Sequence, residues 1–143
     1  MVFKTIIVAF SNSQSDLELV IQALTEFHLT SETRVILSHV VAREKYDLDL
    51  EVDIPKSERE KISLGEFEKQ LQLYREKLPC TTELEIVMGD PTEEIVRLSN
   101  IYSADLIVIG SRGLKGINRI IQGSVSSQVI AEASCSVLVV KQR

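Results

Sequence analysis

Five short apolar runs divide this chain: "KTIIVAF" (4–10), "TRVILSHVV" (33–41), "TTELEIVM" (81–88), "ADLIVIG" (104–110) and "SVLVVK" (136–141). Several are nearly unbroken and rich in β-branched residues, as in strands covered on both faces rather than one. The segments between them repeat at helical spacing. Leu17, Val20, Ile21, Leu24 and Phe27 predict a helix over 15–28, opened by the S-x-x-E pattern of Ser15 and Glu18. Leu64, Phe67, Leu71, Tyr74 and Leu78 predict a second over 57–78, stopped by Pro79. Asp90, Pro91 and Glu93 stand where N-cap, N1 and N3 of a third helix prefer them, with Ile95, Leu98 and Tyr102 on its inner stripe. Val125, Val129, Ile130 and Ala133 mark a fourth.

The resulting order, β-α-β-α-β-α-β-α-β, predicts an α/β fold: a doubly wound, Rossmann-like, five-stranded parallel sheet sandwiched by helices. At 143 residues the chain reads as one domain, 1–143, large enough to bury its own core. In that architecture ligands sit beyond the carboxyl ends of the strands, where the strand order reverses. Charge narrows the partners. The balance of 16 basic against 21 acidic residues gives a net charge of −5, so no nucleic-acid partner is expected. No run approaches the ~20 apolar residues of a membrane helix, and no membrane partner is expected either. The apolar part of "MVFKTIIVAF" is too short for a signal-peptide core with a cleavage site. Cys80 and Cys135 form no framework and no C-x-x-C pair, so free thiols and a cytoplasmic location are expected.

The segment "GSRGLKGINRIIQGSVSSQVI" (110–130) follows the fourth run. Gly110, Gly113, Gly116 and Gly123 are four of the chain's six glycines, and Arg112, Lys115 and Arg119 stand among them with no acid. Glycine permits positive φ, which costs other residues roughly 1–2 kcal/mol, and lets backbone approach a ligand closely. A glycine-rich turn entering a helix offers N–H groups and the positive end of a helix dipole, the components of an anion site. Neither G-x-x-x-x-G-K-[ST] nor a G-x-G-x-x-G after the first strand is present, so Walker-type and dinucleotide fingerprints are absent. These physical features alone leave a phosphate site and a surface loop both open.

Gly110-x2-Gly113-x9-Gly123-Ser124 resembles the nucleotide-binding pattern of the universal stress protein family, in its ATP-binding subgroup. The resemblance runs through "KTIIVAFSNSQS", "VILSHVV", "GDPTEEIVRLSNIYSADLIVIGSRG" and "GSVSSQVIAEASCSVLVV", in that order. It implies an adenine nucleotide alpha hydrolase-like fold and an ATP-binding, nucleotide-responsive stress or signalling protein. Adenine and ribose would lie on Ala9, Phe10, Ser11 and Val40. The phosphates would lie on Gly110, Ser111, Arg112, Gly113, Gly116, Gly123, Ser124, Val125 and Ser126. Mg2+ or Mn2+ would be held mainly by the phosphates, with no protein metal ligands. The resemblance also implies a homodimer through the last strand, 136–141.

One position departs from the family pattern: Ser11 stands where Asp is common, and Asn12 where Gly is. Exchanging a charged acceptor for a hydroxyl costs on the order of 1–2 kcal/mol, roughly tenfold in affinity. A dimeric interaction module of the same fold without nucleotide is therefore the alternative, and a slow ATPase or self-phosphorylating enzyme a third. No nucleophile–base pair or convergent carboxylate pair marks a dedicated catalyst. His39, within an apolar strand, reads as a packed histidine. His28 reads as the cation closing the first helix. Cys135 reads as core, and Glu93 and Glu94 as helix-start acids.

Overall fold

The computed structural model describes residues 3–9, 14–42, 64–110 and 125–141. In chain order they form β1 (Thr5–Ala9), α1 (Gln14–Thr25), β2 (Arg34–Ala42), α2 (Leu64–Lys77), β3 (Thr81–Gly89), α3 (Pro91–Ile101), β4 (Leu106–Gly110), α4 (Val125–Glu132) and β5 (Ser136–Val140). The strands make one sheet in the order β3-β2-β1-β4-β5, and every neighbouring pair is parallel. This is the five-stranded parallel α/β sandwich that the alternation of runs predicts.

Successive strand residues point to opposite faces, so each central strand feeds two cores. Ile6, Val8, Val35, Leu37, Leu106 and Val108 pack on one face against Leu17, Val20, Ile21 and Leu24 of α1 and Leu71 of α2. Ile7, Ala9, Ile36, Ile107 and Ile109 pack on the other against Ile95 and Leu98 of α3 and Val129 of α4. A one-residue slip in any of these strands would exchange the two sets. The path of the chain follows from the same division. It steps from β1 to β2 to β3 with α1 and α2 on one face, then returns across β1 to β4 and β5 with α3 and α4 on the other. Reversing both direction and face keeps all the crossovers of one hand.

Polar groups fix the ends. The Asp90 carboxylate accepts the Glu93 N–H at 3.0 Å, capping α3 with Pro91 in its first turn. Asp105 Oδ2 accepts the N–H groups of Lys4 at 3.0 Å and Thr5 at 2.9 Å, tying the entry of β1 to that of β4. The span of α1 and the buried face of α4 differ from expectation. Helix α1 starts at Gln14 and ends at Thr25, so His28 lies beyond the helix; Phe27 packs against the core from the turn that follows. Ile130 is 55% exposed, because α4 rests on the sheet through the row containing Val129 and the next residue points about 100° away. The part of the second helix expected before residue 64 lies outside the described residues.

Leu37 is fully buried in a central strand. Leu37→Ala is expected to lower unfolding free energy by about 2–5 kcal/mol, measured by urea denaturation. A loss well under about 1 kcal/mol would contradict the packing described here.

Candidate functional site

The strand order reverses between β1 and β4, since the chain leaves β1 on one side and comes back to β4 on the other. Pairing of Ala9 with Ser38 on one side and Ile109 on the other sets the carboxyl rim of the sheet there. Gly110, paired with Val140, is the last residue of β4 and is buried. Val40 lies two residues beyond Ser38 along β2, roughly 6–7 Å further out. Ser38 itself is buried, and its hydroxyl donates to the Val8 carbonyl at 2.7 Å, fastening β2 to β1 just below the rim.

On the face that α3 and α4 cover, two helices bring their amino ends to this rim, because each follows a strand's carboxyl end. They differ in charge. The first turn of α3 carries Glu93 and Glu94 and is capped by Asp90, so its dipole is met by the chain's own carboxylates. The first turn of α4 carries no acidic residue. It holds Val125, packed against the cluster that contains Ala9 and Ile109, and Ser126, which is buried. A helix start without acids, beside a strand ending in glycine at a switch point, suits an anion. The donor set is therefore of the right kind for phosphate. Among the described residues, no group of three or more His, Cys, Asp or Glu side chains could hold a metal ion.

Of the sequence-predicted site residues, the structure brings Ala9, Val40 and Val125 against one apolar cluster. Gly110 and Ser126 lie at the adjoining strand and helix ends. Phe10, Ser11, Ser111, Arg112, Gly113, Gly116, Gly123 and Ser124 lie outside the described residues, as do Lys115 and Arg119. His39 is buried within β2. Cys80 and Cys135 are free and packed against the two cores, and burial pushes both thiols up. Neither is thereby made a nucleophile. Sequence reasoning missed the Thr92 hydroxyl donating to Gln128 Oε1 at 2.7 Å, which joins the amino ends of α3 and α4. No local pattern encodes a bond between residues that far apart.

Another polar cluster sits at the opposite, amino end of the sheet, on the face covered by α3. Arg34 pairs with Glu83, its guanidinium lies 4.8 Å from the centre of the Tyr102 ring, and the Tyr102 hydroxyl donates to Glu85. These residues close the β3 edge over the end of α3 and take no part in the rim. Arg34 holds the Glu83 carboxyl below its ordinary range.

The fold and rim define a doubly wound, parallel α/β protein with a crevice at its switch point. Residues 2–141 match the universal stress protein family, and the chain belongs to it. It is 40% identical over 74 residues to universal stress protein MJ0531 of Methanocaldococcus jannaschii, an alignment covering 52% of this chain and 44% of that protein. The match thus spans under half the length of that relative. Protein MJ0577 of the same organism, as a solved structure, superposes with a TM-score of 0.77 at 25% identity, covering 100% of this chain and 99% of that one. A universal stress protein solved in complex with cAMP gives 0.63 at 21% identity, covering 99% and 98%. An Arabidopsis thaliana family member with AMP bound gives 0.68 at 19% identity, covering 98% and 92%. Among the described residues, no helix is long and apolar enough to cross a membrane.

The Tyr102 cluster makes a pH prediction. The hydrogen bond to Glu85, then burial, then the charges of Glu85 and Glu83 push the phenol up to about 12, with Arg34 opposing. The folded state therefore keeps a proton that the unfolded chain releases near 10, so stability falls as pH rises from about 10 to about 12. Spectrophotometric titration is expected to show the tyrosine that titrates at about 12 disappear in Tyr102→Phe. A variant titration curve that still retains this phenol would contradict the assignment.

Proposed function

We propose that this chain binds an adenine nucleotide, ATP in particular, and acts as a cytoplasmic, dimeric, nucleotide-responsive stress or signalling module. The observation that carries this proposal is where the glycine pattern falls. β4 ends at Gly110 and α4 begins at Val125, so Gly110-x2-Gly113-x9-Gly123-Ser124 spans the interval between the switch-point strand and the acid-free helix start. Phosphates on Gly110, Ser111, Arg112, Gly113, Gly116, Gly123, Ser124, Val125 and Ser126 would then meet backbone N–H groups, hydroxyls and a helix dipole together. The base and ribose would rest over Ala9, Phe10, Ser11 and Val40. Mg2+ or Mn2+ would be carried by the phosphates. Family members of the same fold solved with cAMP and AMP support an adenine nucleotide.

The dimer proposal rests on the sheet edge. β5 is a terminal strand, and its sequence "SVLVV" is uncharged with Leu138 37% exposed. Its unpaired backbone groups would be satisfied by the same strand of a second copy. A second reading keeps the fold and the dimer but loses useful nucleotide affinity, and the Ser11 and Asn12 departures favour it.

Isothermal titration with magnesium ATP separates the two. The wild type is expected to bind in the micromolar range, and Gly113→Ala or Gly123→Ala to weaken binding about tenfold or more. An absence of heat in the wild type, with no adenine nucleotide carried through purification, would leave the dimeric interaction module.

A further inference from the structure

Helix α4 has only eight residues, of which Ser126 and Val129 are buried. A helix that short has little stability of its own, and its direction depends on what holds it. One side-chain tie lies at its amino end. Thr92, the second residue of α3, is buried, and its hydroxyl donates to Oε1 of Gln128, the fourth residue of α4, at 2.7 Å. A weaker tie of 3.4 Å, Ser134 Oγ to Asn100 Oδ1, lies at the other end of the pair. A buried hydroxyl needs a partner. Threonine in a helix can satisfy its hydroxyl locally, on its own backbone. Thr92 instead spends its hydrogen bond on the neighbouring helix.

We propose that Thr92 is a positioning residue for the nucleotide phosphates. Acting through Gln128, it holds the first turn of α4 at the angle that presents its N–H groups and Ser126 to a phosphate at the β1–β4 rim. This rests on the nucleotide-binding reading. Binding groups hold productive geometry only when the residues behind them are themselves locked, within about 0.5 Å. The tie also joins two helix starts of opposite character. The α3 start is already neutralised by Asp90, Glu93 and Glu94, and the α4 start is free of acid. Thr92 therefore fixes the anion-accepting dipole against one already met by carboxylates.

A phosphate-positioning role should show in ATP and not in adenosine. Calorimetry should find that Thr92→Val weakens magnesium ATP binding about fivefold while changing adenosine binding by less than about twofold. Thr92→Ser, which keeps the hydroxyl, should restore ATP binding. Gln128→Leu, made from the exposed side, should reproduce the loss even if Thr92→Val fails to fold. The double variant should bind no more weakly than either single one, because both remove the same bond. ATP binding at the wild-type level in both single variants, equal losses for ATP and adenosine, or additive losses in the double variant would overturn this inference alone. A wild type that binds no ATP would overturn the nucleotide reading and this inference with it.

Discussion

The rest of the structure depends on β1 and β4 being buried on both faces. Four of the five residues of β1 and all five of β4 are buried, and alternate side chains go to separate cores. Such strands must lie in the middle of a sheet with helices above and below. That requirement forces the chain to cross from one face to the other when it returns from β3 to β4. The reversal opens a crevice between the carboxyl ends of β1 and β4. The site is thus a by-product of satisfying two cores with one pair of strands.

Charge then distinguishes that rim from the rest of the surface. The amino end of the sheet is occupied by the Arg34, Glu83, Glu85 and Tyr102 cluster, whose groups satisfy one another. At the carboxyl end, α3 arrives with its own acids and α4 arrives without them. A net charge of −5 for the whole chain makes an acid-free helix start beside a basic glycine segment an exception. The proposed phosphate site would give that exception a chemical meaning.

Much of this was legible in the sequence, for identifiable reasons. Runs such as "LIVI" declare two-sided burial by having no polar alternation. The start of α3 is legible because Asp90, Pro91 and Glu93 act on their own local backbone. The end of α1 was not legible. Phe27 continues the apolar period but packs from a turn, so periodicity overran the helix. Ile130 likewise fits the period and faces solvent. Strand order and the Thr92–Gln128 bond are tertiary, and no local spacing encodes them. For the proposed site, strand and helix ends set where Ala9, Val40, Gly110, Val125 and Ser126 lie, at one rim of the sheet.

The central claim is that a nucleotide occupies this rim with its phosphates at the start of α4. Amide chemical-shift mapping of isotope-labelled protein on addition of magnesium ATP tests it most directly. The account predicts saturable shifts concentrated at Ala9, Val40, Gly110, Val125 and Ser126, with little change along β3 or at the Tyr102 cluster. Saturable shifts centred elsewhere, or none under conditions where ATP stays intact, would contradict it.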